Sequence, residues 1–183
     1  LVKEYEIDVR WVAFPLHPYI PDEGWTLERL FAGRSFDIPA IKARLRRVAE
    51  ELGLPLGDRN MTYNSRRAQE LGKWAEQQGK GNEYHGAVFR AYFVDGRNIA
   101  QADVLAGVAE AVGLDPDEAH RVLETRAFRE AVDRDWERSR ILGVTAVPTF
   151  LLDRQALVGA QPYEALEQMV RTQGIPSRKA PWK

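Results

Sequence analysis

One hundred and eighty-three residues, 44% of them hydrophobic, suffice for one sizeable core or for a core with an inserted subdomain. The 26 basic and 27 acidic residues are interspersed and nearly cancel, to a net charge of -1, which argues against a nucleic-acid footprint or a polybasic membrane patch. Cysteine is absent, so these residues offer no disulfide, thiolate ligand or cysteine nucleophile; no apolar run approaches the ~20 residues of a membrane helix, and no signal-peptide pattern opens the chain.

Residues 5–14 read as a strand, with Ile7, Val9 and Trp11 alternating with Glu6, Asp8 and Arg10 before Val12, Ala13 and Phe14 make its end uniformly apolar. Pro15, Pro18, Pro21 and Gly24 then impose an irregular extended stretch. From Trp25 the period turns helical. A short helix is expected over 26–32, ended by Gly33, and a longer one has Asp37 as its N-cap and Pro39 in its first turn. Ile38, Ile41, Leu45, Val48 and Leu52 share one face of the longer helix, the pattern of a core-facing stripe, and Gly53 stops it.

After the turn residues Pro55, Gly57, Asp58 and Asn60, a helix from near Asn64-Ser65 carries Ala68, Leu71 and Ala75 on one side and ends at Gly79. Asn82 is a candidate cap for the next, in which Tyr84, Ala87, Val88, Ala91 and Tyr92 form a stripe that Phe89 and Phe93 widen; so broad a surface belongs in the middle of a helical layer. Two further helices come next. One holds Val104, Leu105, Val108 and Val112 before Gly113, and the other opens with Asp115-Pro116-Asp117-Glu118, a cap, a first-turn proline and a capping-box glutamate in order.

A long helix over about 127–142, with Phe128, Val132 and Trp136 in line, leads to Gly143-Val144-Thr145-Ala146-Val147-Pro148-Thr149-Phe150-Leu151-Leu152. Proline cannot donate to a ladder and pushes its predecessor to extended geometry, so a strand should begin at about Pro148. A trans-proline opening an ordinary buried strand is the plainer reading of those residues alone. Asp153-Arg154-Gln155 reads as a hairpin turn before a short strand at 156–158, and Pro162 as the first-turn proline of a last helix with Leu166, Met169 and Val170 inward and Gly174 at its end. Residues 176–183 read as a frayed tail. Sheet elements at both ends with helices between them imply an α/β unit interrupted by an all-helical subdomain: 1–20 and 127–175 for the first, 21–126 for the second.

That order resembles the DsbA-like branch of the thioredoxin superfamily, specifically the FrnE-like group related to 2-hydroxychromene-2-carboxylate isomerases and kappa-class glutathione transferases. The resemblance is carried by Phe14-Pro15-Leu16-His17-Pro18 through Pro21-Asp22-Glu23-Gly24, by Asn64-Ser65-Arg66-Arg67-Ala68, by Phe89-Arg90-Ala91-Tyr92-Phe93 with Arg97-Asn98-Ile99, and by Gly143 to Phe150 with Gly159-Ala160-Gln161. It runs collinearly over roughly residues 5–174 and implies a thioredoxin-like α/β fold with an inserted all-helical subdomain and a cis bond at Val147-Pro148. It also implies a first strand and an active-site helix bearing Cys-x-x-Cys, neither of which is found in these residues. The expectation is therefore a natural protein longer at its amino end by the ~30–40 residues of a strand, a turn and a helix.

The chemistry that the resemblance implies centres on the same loop. In the family the backbone before the cis-proline pairs with an extended substrate or with glutathione, which makes Val147, Pro148 and Thr149 the expected substrate-binding residues. Gln161, at the start of the last helix, is a candidate for holding an anionic group such as a glutathione carboxylate, or a plain helix cap. No catalytic residue is expected among the 183 and no covalently bound cofactor; glutathione is the small thiol the resemblance allows. The expected activity is a cytoplasmic thiol-disulfide oxidoreductase acting on a protein or small-molecule disulfide or thiol, as monomer or homodimer, without nucleic-acid or membrane partners. A glutathione-dependent isomerase or transferase is the alternative, and a non-catalytic binding module a further one. His17, His85 and His120 are too scattered for a metal site and read as structural or solvated, Trp25, Trp74 and Trp136 as core, and Arg44, Arg46 and Arg47 as a solvated face.

Overall fold

The computed structural model describes residues 1–178, which fall into two compact units: Leu1–Leu16 with the chain from Arg134 onward, and His17–Asp133.

The second unit is mostly helix. Its short strands β1 (Trp25–Thr26) and β2 (Met61–Thr62) pair antiparallel, and Gly24 at φ 82° lets the chain pass so close to Thr62 that a Cβ would stand 2.5 Å from its carbonyl oxygen. Helix α1 (Leu27–Leu30) is capped by Thr26, whose hydroxyl accepts from the Arg29 N–H. Helix α2 (Ile38–Glu51) starts where Asp37 accepts from the Ala40 N–H, as its sequence requires.

The inward reading of α2 is corrected by the structure. No residue of α2 is buried, and Ile41, Leu45, Val48 and Leu52 all face solvent. The helix is held instead by its polar edge: Lys42 and Arg46 both pair with Asp58, and the Lys42 ammonium donates to Asn60 Oδ1 at 2.6 Å. Lys42 thereby keeps Asp58 below the usual carboxylate range.

The core lies among α3 (Arg66–Gln77), α4 (Gly81–Phe89), α5 (Ala102–Ala111) and α6 (Pro116–Thr125), where Leu71, Ala75, Tyr84, Val88, Leu105, Ala109, Ala119 and Leu123 pack together. Asp115 caps α6 by accepting from the Asp117 and Glu118 amides. Asn82 does not cap α4: the helix opens at Gly81, which approaches Glu76 so closely that a Cβ would meet its side chain at 2.8 Å. The stripe of Tyr84, Ala87, Val88, Ala91 and Tyr92 faces the core as expected, but Phe89 and Phe93 do not widen it. A π-helical turn over Arg90–Val94 adds a residue to one turn, rotating the residues beyond it by about 100° against a 3.6-residue repeat. Phe89, ahead of that turn, and Phe93, within it, are exposed rather than central to a layer, and the Arg59 guanidinium covers Tyr92 at 4.5 Å and Phe93 at 5.2 Å. The Phe93 carbonyl, among the last of this helix, accepts from the Gly57 N–H at 2.9 Å.

The first unit contains most of α7 (Arg129–Ile141), the hairpin of β3 (Thr149–Leu152) and β4 (Gln155–Val158), and α8 (Tyr163–Thr172). Residues 6–14, read from their alternation as a strand, form none. A strand is defined by its ladder, and these residues find one only at their start, where Tyr5 bridges Ser177, Glu6 N–H donates to the Pro176 carbonyl and Arg178 N–H to that of Glu4. Further on, Ala13 N–H donates to Asp135 Oδ2 at 2.9 Å, tying the segment to α7. Residues 176–178 thus pair instead of fraying; 179–183 lie outside the described residues. The Tyr5 hydroxyl donates to Glu167 Oε1 at 2.6 Å, and that of Tyr163 to Glu4, a bond that pushes the Tyr163 phenol up to about 12.

Candidate functional site

Leu142 and Gly143 end α7, with the Val144 N–H returning to the Ser139 carbonyl at 2.9 Å and Gly143 at φ 67°. The chain then runs through the Thr145-Ala146-Val147-Pro148 loop into β3, with the Val147-Pro148 peptide bond cis. Two bonds fix the loop from its far side. Thr149 Oγ1 donates to the Ala146 carbonyl at 2.7 Å, and Gly159 N–H to the Pro148 carbonyl at 2.7 Å, so Pro148 is an extra rung on the β3–β4 hairpin. The hairpin closes on a two-residue turn, Leu152 facing Gln155, with Asp153 at φ 52°.

Held in this way, Val147 projects from the loop 45% exposed, and its backbone N–H and C=O form no hydrogen bond among the described residues. Next to it, β3 pairs only with β4 among the described residues, so its other edge is open, and Phe150 and Leu151 beside that edge are exposed. Unpaired backbone groups next to an open edge with apolar flanks can take up an extended segment in β fashion. Val147, Pro148 and Thr149 thus sit together on one short path, Thr149 through its hydroxyl as the brace.

Gln161 follows β4 at the same end of the hairpin as Pro148, opposite the 153–154 turn. Its amide Nε2 donates to the Val158 carbonyl at 2.7 Å, and α8 begins after Pro162 as N-cap without any side-chain cap, so Gln161 does not cap that helix and Pro162 precedes its first turn.

The histidines are separate. His17 stacks edge-on against Tyr19 with Nδ1 3.3 Å from its hydroxyl, and burial, aided by the nearby Arg34 charge, lowers its pKa. His85 stands 3.6 Å from Glu76, and His120 3.7 Å from Asp103. Among the described residues no group of three His, Asp or Glu side chains is arranged to hold a metal. Trp74 is core and Trp136 half-buried, whereas Trp25 is a stacking platform, with Tyr19 at 5.5 Å and the Arg29 guanidinium at 4.4 Å from its ring.

Two asparagines not singled out individually in the sequence hold the proline-rich loop. Asn64 Nδ2 donates to the carbonyls of Ile20, at 2.7 Å, and Pro18, while Asn98 Nδ2 donates to that of Asp22 at 2.8 Å. Both also accept from the amide two residues on, Asn64 from Arg66 and Asn98 from Ala100, so each side chain links a turn to the loop. A clue lay in the sequence: both stand immediately ahead of a helix or turn inside the motif blocks that carried the resemblance.

Comparison with known proteins agrees with this arrangement. A probable DsbA oxidoreductase from Streptomyces coelicolor is 26% identical and superposes with a TM-score of 0.83, over 97% of this chain and 79% of its own. A 2-hydroxychromene-2-carboxylate isomerase is 25% identical, with a TM-score of 0.63 over 75% of this chain and 66% of its own. The cytosolic disulfide reductase DsbM of Pseudomonas aeruginosa, in a structure with glutathione, is 25% identical, with a TM-score of 0.54 over 70% of this chain and 72% of its own. The sequence pattern of the DSBA-like thioredoxin domain matches residues 1–171, and the chain belongs to that family.

Proposed function

We propose that the protein is a thiol-disulfide oxidoreductase whose Val147-Pro148-Thr149 loop binds the extended backbone of a disulfide-bearing peptide or of glutathione. The observation that carries this reading is the exposed Val147 with its unpaired N–H and C=O beside the open edge of β3. In the exchange, a thiolate attacks one sulfur of the bound disulfide, forming a mixed disulfide and releasing the other sulfur as a thiolate; a second thiol then resolves the intermediate. Because no cysteine occurs among the 183 residues, both thiols come from outside them, and this part of the protein supplies binding and alignment. The similarity to a cytosolic disulfide reductase supports a cytoplasmic setting.

A second reading, glutathione-dependent isomerisation, is favoured by the superposition on the isomerase, which is closer than that on the reductase. There glutathione itself would be the nucleophile, held by the same loop, with Gln161 at its anionic end.

The test is titration of this chain with oxidised glutathione and with a short disulfide peptide, monitored by amide NMR. Shifts centred on Val147, Thr149 and the residues of β3 are expected, without turnover of disulfide by this chain alone. Shifts confined to other elements, or none at millimolar ligand, would sink both readings. Val147 and Thr149 responding to glutathione but not to the peptide would favour the isomerase.

A further inference from the structure

Helix α2 is anomalous for a folded chain. Its apolar residues Ile38, Ile41, Leu45, Val48 and Leu52 recur at intervals of three and four, a heptad seam, yet Leu45 is 55% exposed and Leu52 66%. An isolated helix of this length is marginal in water, and most helical stability comes from packing an apolar face. The polar edge is occupied by Asp58 and Asn60, while along the seam Ile38 is half-buried and Ile41, Leu45, Val48 and Leu52 are exposed.

We propose that this seam is the interface of a two-fold homodimer, in which α2 packs antiparallel against α2 of a second copy. Charge selects this occupant and this direction. Written as heptads with Ile38, Leu45 and Leu52 at a and Ile41 and Val48 at d, the flanking g positions inside the helix are Arg44 and Glu51. In an antiparallel pair the layers are Ile41 on Leu52 and Leu45 on Val48, each made twice by the two-fold axis. The same register sets Arg44 of one copy opposite Glu51 of the other, also twice. Neither residue has an ion-pair partner among the described residues, so each is free to make this one. A parallel pair would instead set Arg44 against Ala49, with no charge to meet. The paired seam covers about 16 Å at ~1.5 Å per residue. Exposed Leu54, just past Gly53, extends the apolar surface beyond the helix.

The interface is independent of the thiol chemistry, and its test does not use activity. Sedimentation equilibrium of the protein between roughly 1 μM and 1 mM should show a concentration-dependent dimer. Leu45→Glu should abolish it, and because that position is solvent-facing in the free chain, the circular dichroism spectrum should be unchanged. Arg44→Glu alone and Glu51→Arg alone should each weaken association roughly tenfold, by placing like charges opposite one another. The double swap Arg44→Glu with Glu51→Arg should restore it. A monomer throughout the range, a dimer indifferent to Leu45→Glu, or single swaps that the double swap does not rescue would each overturn the proposal, the first pointing to a different partner for α2.

Discussion

Arg126 closes a bidentate pair on Glu70, with Nε and Nη2 each 2.7 Å from a carboxylate oxygen. Arg126 is the C-cap of α6 and sits in the left-handed region at φ 55°, a position usually left to glycine. Glu70 is 1% exposed and also accepts from Arg66 Nε at 2.6 Å, while Arg66 Nη2 reaches Asp133 at 2.7 Å. A carboxylate thus buried in α3 fixes the end of α6 and the stretch just beyond it.

Removing that carboxylate should be costly and pH-dependent. Burial, the largest single influence, pushes the Glu70 pKa up, but hydrogen bonds and charge from Arg126 and Arg66 outweigh it and hold the group below its usual value. A depressed carboxylate contributes stability that is complete above the unfolded-state pKa and is lost as pH falls through the folded one. Glu70→Gln is expected to cost about 3 kcal/mol near neutrality, at the low end for breaking a buried pair because Arg126 is partly exposed. Urea melts of both proteins should converge as pH drops below about 4. Parallel pH profiles would refute the assignment.

Two glycines should respond to alanine in opposite directions. A Cβ on Gly57 would lie 2.0 Å from the Val94 carbonyl oxygen, at the close passage over the π-helical turn, whereas one on Gly86, in an exposed turn of α4, meets nothing within 4 Å. Gly57→Ala should lose about 3 kcal/mol, the upper range for overpacking. Gly86→Ala should gain about 0.5–1 kcal/mol from the lower entropy of the unfolded chain. Thermal denaturation in one buffer measures both; a neutral Gly57→Ala would mean that the 57–94 passage is looser than the structure shows.

Asn64 should be needed as a donor rather than for its size. Asn64→Asp keeps the acceptor for the Arg66 amide but loses the donor to Ile20 and Pro18, and Ile20 is buried. A loss of about 1–3 kcal/mol is expected, along with faster hydrogen exchange over 18–24. Unchanged exchange in that loop would show that Asn64 does not hold it.

Signals confined to one element were legible in the sequence. The caps Asp37 and Asp115, the stops Gly53, Gly79, Gly113 and Gly174, and the start of β3 just after Pro148 all arise from local backbone chemistry, and the structure has each within a residue or so of its expected position. Relations between elements were not legible. Period tells which residues of α2 share a face but not which way the face points, and alternation in 6–14 states a preference that only a ladder partner can realise. Phe89 and Phe93 border the α4 stripe, yet the structure leaves both exposed while Tyr84, Val88 and Ala91 are buried. In the Glu70 cluster, Arg66 stands at the i, i+4 spacing a reader could have noticed, but Arg126 arrives from 56 residues away. At the candidate site, proline chemistry pointed to Val147 and Pro148, while the bond from Gln161 to Val158 depends on how the hairpin exits.

The bridge between Tyr5 and Ser177 has a consequence for biosynthesis. His17–Asp133 is continuous and can fold as soon as it clears the ribosome, but Tyr5 must wait for Glu167 and Ser177, among the last of the described residues to be made. At ordinary translation speeds that delay is on the order of ten seconds. Until then Tyr5 and Glu6 lack the partners that anchor the start of the segment 5–14, an apolar-rich stretch of the kind that chaperones shield and that misassembles when crowded on a polysome.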